Sequence, residues 1–300
     1  MFVIKYRKFF YALSILIVAA SIVCISIWGL NVGIDFKGGS IIEIEYTGTR
    51  PSQESIISAI APLELTASIR ATGENGYIIR MKAIDQAEKT ELMDVLTQNG
   101  ALQITEKRFD SIGPLLGAEA LRKAIVSIIF VLLAIVFFIA FAFRKVSEPV
   151  SSWKYGLVAI IALAHDVIVP TGVFAVLGHF LGYEVDTLFV TALLVVLGFS
   201  IHDTIVVFDR VRENLKNASN NKPFSDIVGE SINQTFTRSI NTSMTTLLAL
   251  VVLYFVGGES TQHFSLVLII GIVAGTYSSI FLGSPLLVTI ERFRARKGKK

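Results

Sequence analysis

The sequence predicts a polytopic α-helical membrane protein with six transmembrane helices and a small α+β domain between the first two. Three observations predict it. The 300-residue chain is 53% hydrophobic, with a mean hydropathy of +0.64, more apolar than a soluble domain of that length. Six windows, 9–30, 121–143, 154–178, 186–208, 238–256 and 264–290, hold the ~20 apolar residues that a bilayer-crossing helix needs. Lys and Arg gather at alternate connections, the pattern that sets membrane orientation.

The first window follows Lys5, Arg7 and Lys8 and runs apolar through Trp28. It is longer than a signal-peptide core and no small-residue cleavage site follows it, so it reads as a retained anchor. Cys24, the single cysteine, lies within it as a small packing residue and excludes an internal disulfide. Other basic residues stand at Arg144, Lys145 and Lys154, at Arg210, Arg212, Lys216 and Lys222, and in the tail RFRARKGKK. They alternate with a net acidic segment (31–120), a short one bearing Glu184 and Asp186, and the loop GGESTQH. Both termini are therefore expected on the cytoplasmic side, with the basic tail near anionic lipid rather than nucleic acid.

Residues 31–120 are patterned as a folded domain outside the membrane. SIIEIEYT (40–47) alternates as a half-buried strand does, and Ser52 caps a helix that carries Ile56, Ile57 and Ile60. LTASIRAT and YIIRMKA flank the hairpin turn Gly73–Gly76. Asp85 opens a second helix, Gly100 ends it, and ALQITEKRF is the last strand. The order βαββαβ is the ferredoxin-like arrangement. That fold hosts unrelated functions, and the segment contains no Cys or His, so a polypeptide-binding module is expected.

Ionised groups inside a bilayer cost at least ~2.5–3.5 kcal/mol at a helix centre. Three candidates stand there: Asp166 in LAHDVIVP, Asp203 in GFSIHDTIVVFDR, and Arg238 in QTFTRSINTSMTT. Arg238, Thr242, Thr245 and Ala249 share one helical stripe beside Asn241. An Asp203–Arg238 pair that closes when the acid ionises and opens when it is protonated would supply two packing states; a permanent pair that fixes helix register is the alternative. Asp166, just before Pro170, either joins a proton relay or bonds backbone groups freed by the proline. His165 and His202 either join that relay or are satisfied locally. Neighbours point about 100° apart on a helix, so neither His-Asp neighbour pair is expected to form a dyad. His179 and His263 are expected to be exposed. VFDRVREN reads as an interfacial or short surface helix, NASNNKPFSD as a polar loop, and IVGESINQTF as an amphipathic return to the bilayer. Gly271, Gly275, Ser278, Ser279 and Gly283 form a small-residue packing face. No protease, P-loop, zinc or dinucleotide signature is present, and no enzyme activity, metal or cofactor is expected.

GIDFKGGS (33–40), SIGPLLGAEA (111–120), LGFSIHDTIVVFDRVREN (197–214) and INQTFTRSINTSMTTLLAL (232–250), continuing to GTYSSIFLGSPLL (275–287), resemble the SecF branch of the SecD/SecF family in the RND superfamily, over nearly the whole chain. The family-motif loop falls on Gly33, Asp35, Gly38 and Gly39, with Lys37 a departure from the familiar GIDFTGG. The resemblance implies a bacterial inner-membrane, RND-type half that needs SecD, associates with SecYEG and YajC and indirectly with SecA, and uses the proton motive force, with no ATP site, to promote late translocation of unfolded preproteins. The family's intramembrane Asp falls on Asp203 and its basic partner on Arg238, and with Asp166, His202 and Thr242 from the residue reading these are the proton-coupling candidates. A half-size RND-type exporter of lipids or small hydrophobic molecules is the alternative. These readings divide the chain into a first span (1–30), the outer domain (31–120), a five-span bundle (121–290) with a cytoplasmic loop at 209–237, and a basic tail (291–300).

Overall fold

The structure, a computed structural model, describes residues 2–63, 65, 67–144, 152–218 and 222–297. Lys145, the middle of the NASNNKPFSD loop and the last three tail residues lie outside the described residues. In chain order the elements are α1 (Phe2–Lys5), α2 (Arg7–Trp28), α3 (Ile34–Lys37), β1 (Gly39–Tyr46), α4 (Gln53–Ile60), β2 (Ser68–Thr72), β3 (Gly76–Met81), α5 (Gln86–Leu96) and β4 (Ile104–Ile112). There follow α6 (Pro114–Ala142), α7 (Ser152–Leu181), α8 (Thr187–Asn217), α9 (Phe224–Val256), α10 (Glu259–Tyr277), a π-helical segment (Ser278–Gly283) and α11 (Ser284–Lys297). Among the described residues six helices, the last built from α10, the π segment and α11, are long and apolar enough to cross a membrane. The chain divides into two compact units, residues 32–125 and the remainder.

Residues 32–125 hold a four-stranded antiparallel sheet in the order β2-β3-β1-β4. With one helix in each crossover this is the ferredoxin-like βαββαβ topology. Alternation places Ile42, Ile44 and Tyr46 of β1 and Tyr77 and Ile79 of β3 in one core with Ile56, Ile60, Leu92 and Leu96 of the helices. The expected caps form: Ser52 accepts from the Ser55 amide, and Asp85 and Glu88 make a reciprocal capping box. A hydroxyl clip ties β1 to β4, since Ser40 donates to Ser111 at 2.7 Å while accepting from the Ile84 amide at 2.9 Å.

Tyr46 is 2% exposed and donates to the Leu96 carbonyl at 3.3 Å. Burial pushes its phenol from 10.0 up to about 12. A group whose proton is held more tightly in the folded state contributes stability below its unfolded pKa and loses it as pH rises through the folded one. The outer domain of the full chain should therefore lose stability between pH 10 and about 12, followed by amide hydrogen exchange, and Tyr46→Phe should flatten that slope. Identical slopes in both proteins would show that Tyr46 is not its source.

The membrane unit is held by close approaches at small residues, the usual device where lipid supplies no hydrophobic drive between helices. A Cβ on Gly172 of α7 would lie 2.3 Å from the Ser21 Cβ of α2, and one on Gly271 of α10 would lie 2.3 Å from Cγ2 of Val196 on α8. Farther along, Tyr155, Leu197, Phe208, Ile232 and Leu287 fill a common core, with Tyr155 stacked on Phe143 at 5.2 Å. The apolar windows of α7 and α8 are each half buried, whereas that of α6 is 6% buried and those of α2 and α9 are 17%; these three helices present the unit's uncovered faces.

One expectation is corrected here. VFDRVREN is not a separate surface helix and 209–237 is not a loop, because α8 runs unbroken to Asn217 and α9 begins at Phe224. No Gly or Pro interrupts residues 199–217. The charges there also pair along the helix, Arg210 with Glu213 at 2.5 Å and Arg212 with Asp209 at 3.4 Å, so the helix continues beyond the apolar stretch.

Candidate functional site

Asp166 is the centre of the buried polar chemistry. Its side chain, 0% exposed, projects from α7 and meets an imidazole and two hydroxyls. His165 Nδ1 lies 2.9 Å from Oδ1, while Oδ2 accepts from Ser200 Oγ of α8 at 2.5 Å and from Ser278 Oγ at 2.8 Å. All four residues are at most 4% exposed. Neighbouring hydroxyls extend the network: Ser279 and Thr204 Oγ1 are 2.9 Å apart, and Ser279 also reaches the Ser200 carbonyl at 3.3 Å. The π-helical turn places Ser278 toward α7 and Ser279 toward α8, a local widening of the kind often found at functional positions. Close approach of Gly275, whose Cβ would lie 2.8 Å from that of Ser200, brings the last span near enough for these short bonds.

The His165 ring stacks on Tyr277 at 5.9 Å, and its Nε2 is buried without a hydrogen-bond partner. Tyr277 donates to the Phe10 carbonyl of α2 at 3.0 Å and receives Ser14 at 3.3 Å. The cluster thus joins α2, α7, α8 and the last span. A carboxylate can only accept hydrogen bonds, so the ionised form takes the two hydroxyls together with His165 carrying its proton on Nδ1. Once protonated it must donate, so one of the three must turn or leave. The arrangement has two hydrogen-bonding states set by one proton.

Two expectations are corrected. His165 and Asp166 are hydrogen-bonded although adjacent: their Cβ directions diverge, but the imidazole and carboxyl arms are long enough to turn toward each other. Ser278 and Ser279 are more than packing residues, since they bond Asp166 and Thr204. Asp166 also takes side-chain donors rather than amides. The turn beside Pro170 is served by Thr171, which donates to the Val167 carbonyl at 2.7 Å.

Asp203 lies one turn beyond Ser200 on α8, 4% exposed, with Oδ2 unpartnered. Ser239 and Arg238 of α9 lie near its carboxyl. Ser239 is buried with an unpartnered hydroxyl, whereas Arg238 is exposed, and no ion pair joins Arg238 to Asp203. Helical spacing explains the difference, because consecutive residues face about 100° apart and Ser239 occupies the buried face. Arg238 instead lines a cleft of about 410 Å³ with Asp209, Arg210, Glu213 and Gln234. Asn241, Thr242 and Thr245 are exposed along the same stripe, and His202 is exposed on α8. His179 is exposed, as expected, and stacks on Trp28; His263 is instead half-buried, with its ring 3.9 Å from that of Tyr183.

The glycine loop is a built turn. Gly33 precedes α3, Asp35 stands in its first turn, and Gly38 and Gly39 leave it with φ of 76° and 138°. A Cβ on Gly38 would lie 2.6 Å from the Pro114 Cα, and one on Gly117 would lie 2.7 Å from the Gly38 amide. The loop and the start of α6 therefore meet backbone to backbone.

With that geometry in hand, similarity to known proteins is informative. Residues 91–293 match the family model for the protein export membrane protein SecD/SecF, C-terminal, and residues 29–49 match the SecD/SecF GG motif. The chain is 43% identical to a protein translocase subunit SecF of Thermobaculum terrenum, covering 96% of this chain and 93% of that protein. A second, from Anaerolinea thermophila, is 36% identical with 95% and 92% covered. A crystal structure of SecDF, a translocon-associated membrane protein from Thermus thermophilus, superposes with a TM-score of 0.82 at 29% identity. The match takes in 97% of this chain and 38% of that one.

Proposed function

The chain belongs to the SecD/SecF family of protein export membrane proteins, and from that premise we propose that it is an accessory subunit of the Sec export machinery that acts with SecD to draw on the proton motive force. The fully buried Asp166, held by an imidazole and two hydroxyls from three other points of the bundle, carries the reading. A proton that enters this cluster changes which groups bond, and hence how α7, α8 and the last span pack. Asp203 is the second proposed proton site, one turn away on α8. A polar stripe exposed at membrane depth is costly in lipid, so Arg238, Asn241, Thr242 and Thr245 are proposed to meet SecD. The polypeptide is proposed to leave through SecYEG, with YajC and indirectly SecA as further partners and no nucleotide bound here. Basic residues flanking the spans support an inner-membrane orientation with both termini cytoplasmic.

The test is proton-motive-force-dependent translocation of a secretory protein into inverted vesicles that contain SecYEG, SecD and this chain. One charge crossing 100 mV is worth ~2.3 kcal/mol, roughly a fifty-fold bias, so Asp203→Asn should cut the force-dependent increment about tenfold or more. Asp203→Glu should recover part of it, and the ATP-driven step should persist in both. A full increment from Asp203→Asn in an intact complex would remove Asp203 from the proposal.

A further inference from the structure

At the end of the membrane unit that carries both chain termini, α1, α2, α9 and α11 enclose two adjoining clefts. The first, about 340 Å³, is lined by Lys5, Arg7, Lys8, Ser225, Asp226 and Arg292. The second, about 400 Å³, shares Arg7, Lys8 and Arg292 and adds Tyr11, Thr289 and Phe293. Tyr11 and Thr289, 3.0 Å apart, join α2 to α11 within it. At the same end Arg210, Arg212 and Lys222 each sit on a carboxylate. Among the described residues Lys5, Arg7, Lys8 and Arg292 have no such partner. Four cations from three segments face one carboxylate, Asp226, which accepts from Ser225 at 3.3 Å.

The geometry points to a binding site for the phosphate headgroup of an anionic diacyl lipid. The first cleft supplies the charge, and the second supplies an apolar wall for the glycerol and upper acyl chain. Phe9 and Phe293, each 64% exposed, flank the ends of α2 and α11, as aromatic residues do at a headgroup boundary. A soluble anion would need only the charge, whereas the Tyr11 and Phe293 rings that line the adjoining cleft favour a lipid. Basic pockets between spans on the positively flanked side are the recognised form of such sites. Occupancy would tie the first span to the last, outside the Asp166 cluster and independently of the proton reading.

The test measures lipid retained by the full-length chain in detergent after exposure to cardiolipin, phosphatidylglycerol or phosphatidylcholine, counted by native mass spectrometry. Each neutralised cation should weaken anionic binding about fivefold, so Arg7→Gln/Lys8→Gln/Arg292→Gln should bring cardiolipin down to the level of phosphatidylcholine. Arg292→Gln alone leaves the flank of the first span intact and should give the fivefold loss without disturbing orientation. Removing as much charge from the same end through Arg144→Gln/Lys154→Gln/Lys216→Gln should leave cardiolipin retention unchanged. Equal retention by the wild type and Arg292→Gln, or equal losses in the two triple variants, would overturn the site. Displacement of cardiolipin by inorganic phosphate at about 10 mM would assign the charge cluster to a soluble anion and overturn the lipid reading.

Discussion

Asp166→Asn is expected to abolish the force-dependent increment of translocation while leaving the ATP-driven step in place. The asparagine nearly preserves the volume but replaces one acceptor oxygen by an NH₂ that only donates. Ser200 and Ser278 both donate to the single atom Oδ2, at 2.5 and 2.8 Å. If the amide nitrogen takes that position, both hydroxyls must turn; if it takes Oδ1, it faces His165 Nδ1 at 2.9 Å. Either rotamer freezes the cluster in something close to its protonated pattern. Ser278→Ala removes one of the two hydroxyl donors and leaves the carboxyl in place, so it should retain a reduced increment with an altered pH profile. A cluster that only fixes helix register predicts the opposite ranking, since both variants would be tolerated according to packing alone. Asp166→Asn with a normal increment and an intact complex would establish that structural role.

The sequence exposed the parts of this cluster unevenly, for physical reasons. Asp166 and Asp203 stand out because a lone carboxyl in an apolar run is costly. Ser200 is placed near Asp203 by helical spacing alone. Ser278 resembles any other small residue on a packing face, and only the π turn reveals that it points at α7 rather than at lipid. Periodicity reports which face a residue occupies on its own helix, never what stands opposite. That is why the Asp203–Arg238 pair is reasonable from sequence yet the structure sets Ser239 on the buried face. By contrast, the order of strands and helices along the outer domain follows from alternation, caps and one hairpin, which are all local signals. The continuation of α8 through Asn217 was hidden by charge, since a run of Asp and Arg looks like surface until its members are seen to pair along the helix.

Gly38→Ala is expected to unfold or loosen residues 32–125, a larger stability effect than any other single substitution considered. Gly38 has φ 76° and ψ 160°, a conformation essentially restricted to glycine that costs another residue ~1–3 kcal/mol. The added methyl would also lie 2.6 and 2.8 Å from the Cα and N of Pro114. Those are backbone atoms at the start of a helix and have no rotamer to move into, so overpacking adds ~1–3 kcal/mol. Together these amount to about 2–6 kcal/mol against the ~5–15 kcal/mol that stabilises a typical domain. Faster hydrogen exchange and proteolysis within residues 32–125 should report the loss. Gly48→Ala, with open space around its Cβ and no positive φ, should match the wild type. Translocation should fall in step with domain stability, because the glycine pair acts by letting two backbones meet. A Gly38→Ala protein whose outer domain exchanges normally but which fails to translocate would instead make the loop itself a contact surface for another chain.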